Sequence, residues 1–361
     1  MLGNGATASI IAEKGQMTLK KYYKYRRRQK NLNKEFRKID THLESLQQSC
    51  VGHMRPVRSP LALISQIQRS GGSLLSQLFD GHPELHAHPH ELKIGYPRKY
   101  TWPKLDLNDT PGQWFETLFE VSVIDHFKSG YKKQKNLDET FLFLFLPSLQ
   151  RQLFFNYLKS IETVTLRDIF NAYMTSYFGA WLNNQNSSGP KKFITAFTAR
   201  LSMDEENMDA FFEIYPDGRL ISVIRDPKNW FPSAARHRPH LYGDIRQALD
   251  LWQKSARAMH RNKERFKDRV CIITFEDLIG KTESVMRYLA EFLAIAFDEC
   301  LLMPTFNKYP IKANTSFDAQ QHGIMNSTLD RHKSLAKEDA DRIDRLTTEL
   351  HQEVRNLAVH I

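Results

Sequence analysis

The stretch from Leu61 to Phe79, LALISQIQRSGGSLLSQLF, constrains the fold more than any other part of the chain. Leu61, Leu63, Ile64 and Ile67 suit a buried strand. Ser70, Gly71, Gly72 and Ser73 then form a tight turn, where glycine lets backbone N–H groups approach an anion closely. Leu74, Leu75, Leu78 and Phe79 recur at helical spacing, which sets a positive helix N-terminus beside the turn. Arg69 adds a permanent charge at the strand end. Strand, turn, helix and cation together make a site for a phosphate or sulfate group.

The turn is not a nucleoside-triphosphatase loop, which requires G-x-x-x-x-G-K-S/T. No lysine opens the helix, and Arg69 precedes the glycines. The run Arg69 to Leu75, RSGGSLL, resembles the 5'-phosphosulfate loop of the sulfotransferase superfamily, R/K-x-G-T/S-T/S. Gly72 stands where that family more often has Thr or Ser, so one hydroxyl contact is missing.

A second motif lies about 150 residues on. Arg219 to Ser233 reads RLISVIRDPKNWFPS, with a buried strand (Leu220, Ile221, Val223, Ile224) ending at Arg225. It resembles the family's 3'-phosphate site, an Arg at a strand end followed by Ser eight residues later, here Arg225 and Ser233. A forked cation and a hydroxyl donor can grip one phosphate. Val270 to Phe292, VCIITFEDLIGKTESVMRYLAEF, resembles the family's late strand–EDL–helix element, with Thr282 expected as N-cap. Lys312-Ala-Asn-Thr-Ser-Phe317 is similar to the loop that closes over the nucleotide in bacterial members, which brings in Ser316.

This resemblance covers roughly residues 60–100 and 190–350. It implies an α/β, P-loop-like three-layer fold, with helices on both faces of a central parallel sheet. It implies 3'-phosphoadenosine 5'-phosphosulfate (PAPS) as donor, held by Arg69, Ser70, Gly71, Gly72, Ser73, Leu74, Arg225, Ser233 and Ser316. Arg69 would stabilise charge on the bridging oxygen as the sulfate departs, so no metal is required. Many members carry Lys-Thr-Pro before the second phosphate strand. Here the comparable region, Lys191 to Leu201, holds Lys191, Lys192 and Arg200, none of them assigned a catalytic role.

Sulfuryl transfer needs a base for the attacking hydroxyl. Asp80 to Lys93, DGHPELHAHPHELK, follows the first helix, with Gly81 and Pro83 as stop signals. Carbohydrate and tyrosyl sulfotransferases carry a catalytic Glu about twenty residues beyond the loop Arg. Glu91, 22 residues after Arg69, is the first choice, with His90 and His88 as alternatives. The H-x-H-x-H pattern from His86 to His90 lacks the spacing of a helical or finger-like metal site. Arg rather than Lys in the loop points to a carbohydrate or glycolipid acceptor.

The 361 residues divide into a basic extension (1–57) and a sulfotransferase domain (58–361) with an aromatic-rich helical insert (96–190). The insert's aromatics are expected to be mostly core, some lining an acceptor cleft. A charged terminal helix is expected over 334–358. Part of the +10 net charge sits in residues 20–38, KKYYKYRRRQKNLNKEFRK. That segment could meet an acidic membrane surface, an anionic glycan or nucleic acid, or simply be a solvated helix. No run of 18 apolar residues occurs, and three cysteines without framework spacing fit a reducing cytoplasm. Two other readings compete: a P-loop-type kinase, which the missing G-K-S/T disfavours, and a noncatalytic anion- or glycan-binding protein that kept the fold.

Overall fold

A computed structural model of the chain describes residues 51–94, 100–132, 139–313 and 322–361, with scattered positions between 27 and 49. Residues 1–54 and 55–361 form two separate compact units. Of the basic stretch 20–38, only Arg27, Lys30, Asn31 and Lys34 are described; they are helical and exposed. Ser316 lies outside the described residues.

The second unit is built on a five-stranded, wholly parallel sheet: β1 (Leu61–Ile64), β2 (Leu85–Glu91), β3 (Phe193–Phe197), β4 (Arg219–Ile224) and β5 (Val270–Thr274). Their spatial order is β2-β3-β1-β4-β5. All four residues of β1 and all five of β3 and β5 are buried, as expected of parallel strands covered on both faces. One face packs on helix α1 (Gly72–Leu78) and on the two helices after β5, Phe275–Gly280 and Thr282–Phe292. Leu75, Leu78, Leu278, Val285 and Leu289 are fully buried there against Ala62, Ile64, Ile221 and Val223. Each such side chain contributes about 1.5–3 kcal/mol through burial. Behind the sheet, helix Ile245–Phe266 packs on β5, and terminal helix Lys337–Leu357 packs on that helix.

Most boundaries follow the sequence closely. Strand β1 stops at Ile64 rather than Ile67, because Ile67 N–H turns out of the ladder to donate to Ser255 Oγ. Thr282 is not an N-cap. Its hydroxyl donates back to Leu278 O, and Lys281 occupies the cap position without a side-chain bond. Among the described residues the insert holds four helices, α2 (Pro111–Leu118), α3 (Ser122–Ser129), α4 (Pro147–Lys159) and α5 (Leu166–Ala180). Its aromatics are mainly core: Trp114, Phe154, Tyr157, Tyr173, Tyr177 and Trp181 are buried, whereas Phe127 is exposed.

The segment after α1, read from sequence only for its stop signals and candidate base, is strand β2. The alternation in LHAHPHE is a strand pattern that Pro89 disguises, since proline cannot donate to a ladder. β2 tolerates it at the sheet edge, inside a bulge. Between the pairs Ala87↔Thr195 and Glu91↔Phe197, β2 advances four residues while β3 advances two.

Candidate active site

The chain order turns at β1. The connections from it run first toward β3 and β2, then return to β4 on its other side. Ligand crevices open at such switch points, at the carboxyl ends of the strands. The loop after β1 and the loop after β4 both sit there. Arg225 Nη1 donates to Arg69 O at 2.9 Å, and Arg69 Nε donates to Ser233 Oγ at 3.3 Å. Two motifs some 150 residues apart thus meet within hydrogen-bond distance.

The loop is held by its carbonyls. Trp230 Nε1 donates to Gln68 O at 2.8 Å, and Arg225 takes Arg69 O. Arg69 and Gly71 adopt left-handed conformations, with φ of 68° and 103°. A side chain at Gly71 would meet Phe275 Cδ2 at 2.6 Å. A Cβ on Gly72 would lie 2.2 Å from Gln66 Nε2 and 2.3 Å from Phe197 Cε2. The missing family hydroxyl at Gly72 therefore has a steric cause: Gln66 and the Phe197 ring occupy its space.

Arginines crowd this crevice. Arg69 is pushed down to about 10 by burial and then by Arg331. Arg225, only 4% exposed, is pushed down to about 9 by burial, against the opposing pull of Glu276, with Arg69 and Arg331 lowering it further. Arg331 itself is lowered by burial and by Arg236. All stay charged at neutral pH. An anion held among them would relieve their mutual repulsion. Arg225 also keeps a buried Nε without a hydrogen-bond partner, while its Nη2 holds Thr328 O at 2.8 Å. An orphaned buried donor among like charges fits a phosphate-bearing ligand.

Arg331 and Arg236 escaped the sequence reading. Arg331 lies in the turn Asn326–Ser334, whose Arg-His-Lys run before the terminal helix was the available signal. Arg200 follows β3 and holds the other side of the loop: its Nε donates to Gln68 Oε1 and its Nη2 to Tyr242 OH, each at 2.6 Å. Lys191 and Lys192 precede β3 at the far end of the sheet. They donate to Pro83 O and Ala294 O, away from the crevice.

Glu91 ends β2 and is half-buried. It pairs with Phe197, which also pairs with Ile64 of β1. Residues paired across parallel strands project to the same face, so Glu91 shares the face on which the Phe197 ring abuts Gly72. At about 4.8 Å per strand, it lies roughly 10 Å along the sheet from the end of β1. The three histidines project to the opposite face. His86 stacks on Phe178 with ring centroids 4.7 Å apart, and His88 lies against Tyr177 at 4.6 Å. His90 accepts from Tyr177 OH at Nε2 (3.0 Å) and donates from Nδ1 to Glu91 O (3.1 Å). Burial holds its imidazole down at about 3, against the pull of Glu120, so it is neutral. As alternatives to Glu91, His88 and His90 thus face away from the loop, with both ring nitrogens of each engaged.

His88, His90 and Glu120 each offer a metal-ligating atom within 4.8 Å of the others. Every one of these atoms has a hydrogen-bond partner, which an ion would have to displace.

A sequence profile described as the sulfotransferase family matches residues 60–299. No curated protein sequence matches the chain. Among solved structures, the sulfotransferase domain from the curacin biosynthetic pathway is 16% identical and covers 81% of this chain and 99% of its own, with a TM-score of 0.47. The sulfotransferase domain of the Synechococcus PCC 7002 olefin synthase is 20% identical and covers 85% and 98%, with a TM-score of 0.46. Retinol dehydratase in complex with androsterone and the inactive cofactor PAP is 11% identical and covers 82% of each chain, with a TM-score of 0.38. The matched profile spans both arginine-bearing strand ends and β2 between them, and on that ground the chain belongs to the sulfotransferase family.

Proposed function

We propose that this chain transfers a sulfuryl group from PAPS to a hydroxyl of a carbohydrate or glycolipid, with Glu91 as general base. The observation that carries the reading is the meeting of Arg69, Ser233 and Arg225 at one switch point, because a donor phosphorylated at two positions needs two cradles side by side. Arg225, Ser233 and Arg331 would hold the 3'-phosphate, and Arg69 with the Ser70–Leu74 backbone the 5' group. PAPS supplies an activated sulfate whose leaving group is a phosphate oxygen.

Glu91 takes the proton of the acceptor hydroxyl as its oxygen bonds to sulfur. The bond from sulfur to the 5'-phosphate oxygen breaks on the far side. Arg69 stabilises the charge that gathers on that oxygen, and 3'-phosphoadenosine 5'-phosphate (PAP) leaves. The acceptor class rests on Arg69 and Glu91, which match the carbohydrate-type pattern.

Labelled PAPS offered to a panel of glycans and glycolipids tests the acceptor. On any acceptor found, Glu91→Gln should lower kcat by about 10²–10⁴-fold while PAP affinity stays within about threefold. Wild-type kcat in that variant would remove Glu91 as base.

A further inference from the structure

The bulge that carries Glu91 is clamped from behind by one carboxylate. Glu120, between α2 and α3, is fully buried, with 0% side-chain exposure, as is His88. Its Oε1 accepts from His88 Nε2 at 2.9 Å and from Tyr173 OH at 2.9 Å. Its Oε2 accepts from the backbone N–H of Lys93 at 3.0 Å. His88 Nδ1 donates in turn to His90 O at 2.8 Å. His90 lies within the irregular stretch between Ala87 and Glu91, and Lys93 lies beyond the end of β2, so these bonds serve backbone groups outside the regular β2–β3 ladder.

The clamp brackets Glu91. On its N-terminal side, His88 holds the carbonyl of His90. At Glu91 itself, His90 Nδ1 holds the carbonyl, and Tyr177 OH fixes the ring that does so. On its C-terminal side, Leu92 N–H donates to Phe197 O at 2.8 Å, and Lys93 N–H reaches Glu120. The excess of two residues in β2 preserves strand alternation. That is why the histidines face the insert while Glu91 shares the sheet face on which Phe197 abuts Gly72. The network thus converts an irregular edge strand into a fixed platform for one side chain.

We propose that Glu120 is a positioning residue: through His88, Tyr173 and the Lys93 amide it fixes the bulged end of β2 so that Glu91 is aimed at the donor loop. This rests on the reading of Glu91 as the base. Glutamine is the informative replacement at Glu120. It has the same shape, but its NH₂ group would either face Lys93 N–H, donor against donor, or take the place of the oxygen that accepts from His88 Nε2.

The test compares full-length wild type, Glu120→Gln, Tyr173→Phe and Glu91→Gln. PAP affinity is measured by calorimetry. Turnover is followed as PAP released from PAPS, with water in the acceptor's place where no other acceptor is known. Amide exchange is followed over residues 88–95. For Glu120→Gln we expect PAP affinity within about twofold of wild type and an unchanged KM for PAPS. Turnover should fall about 100-fold, the cost of misplacing a catalytic group by about 1 Å. Exchange at Leu92 and Lys93 should rise at least tenfold. Tyr173→Phe removes one donor without stranding the carboxylate, and keeps the test open if the glutamine variant fails to fold; its turnover should fall about tenfold with PAP affinity unchanged. A folded Glu120→Gln with wild-type turnover, or with wild-type exchange at Leu92 and Lys93, overturns the proposal. Loss of PAP affinity in step with turnover also overturns it, since that marks a general structural role. Unaltered turnover in Glu91→Gln instead refutes the base assignment, a separate failure. Stoichiometric zinc in the purified protein, lost in Glu120→Gln, would overturn the hydrogen-bonded clamp in favour of a metal centre.

Discussion

Gly72→Ala adds a single methyl group at the position where the family carries a hydroxyl residue, and it should damage the loop. The new Cβ would lie 2.2 Å from Gln66 Nε2 and 2.3 Å from Phe197 Cε2, both far inside van der Waals contact. Gln66 is 1% exposed and Phe197 8% exposed, so neither can swing into solvent. Overpacking of this kind costs about 1–3 kcal/mol. The lower chain entropy of alanine in the unfolded state offsets about 0.4–1 kcal/mol of that. The net loss, about 1–2 kcal/mol, corresponds to roughly 1–3 °C in Tm for a chain of this length. Because Gly72 opens α1 within the loop that follows Arg69, the same displacement should weaken PAP binding. Calorimetry and a thermal melt on Gly72→Ala, Phe197→Leu and the double variant test the cause. If the ring is the obstacle, the second substitution should cost less in the presence of the first, giving a favourable coupling. Wild-type Tm and PAP affinity in Gly72→Ala would refute the steric explanation.

Three further outcomes follow from the same geometry. Arg331→Ala should lower PAP affinity about 10- to 100-fold, the worth of a charged hydrogen bond. It should leave the Tm of the ligand-free protein unchanged or raised, because Arg331 crowds Arg69 and Arg225; a lower ligand-free Tm with intact affinity would contradict it. Burial holds His86 and His126 down at about 4 and His90 at about 3, so the unfolded chain binds protons there that the folded chain refuses. Stability should therefore be full above about pH 6.5 and fall as pH drops toward 4, with uptake of up to about three protons on unfolding; a urea midpoint that holds steady from about pH 7 to 4.5 would contradict this. Below that window Glu120 acts in the same direction: burial would raise its carboxyl, but His88, His90 and the Lys93 amide bring it down to about 2, so its contribution disappears as it protonates.

What the sequence made legible was short-range and backbone-driven. The strands at Leu220 and Val270 and the helix that carries Ser233 appear as read, and the first strand appears too, though it stops at Ile64, short of Arg69. What stayed hidden depends on long-range packing. β2 was obscured because Pro89 argues against a strand, and only the bulge reconciles the two. The roles of His88 and His90 turn on which face each occupies, a matter of register with β3. Glu120 carries no local signature; its partners lie 27 residues or more away in sequence. Arg331 reaches the crevice only because the turn Asn326–Ser334 packs on helix Pro227–His237, where His332 N–H donates to Asn229 Oδ1 at 3.0 Å. Gly72 looked like a lost contact and is a packing requirement.

The central claim is a two-cradle donor site shared by Arg69, Ser233 and Arg225. The most direct test is calorimetric titration of the full-length protein with PAP in the absence of magnesium, with Arg225→Ala alongside. The account predicts saturable one-to-one binding by wild type, and a loss of about 10-fold or more in the variant, as for removal of a charged hydrogen-bonding partner. Folded wild-type protein that does not bind PAP, or a variant that binds it equally well, would contradict it.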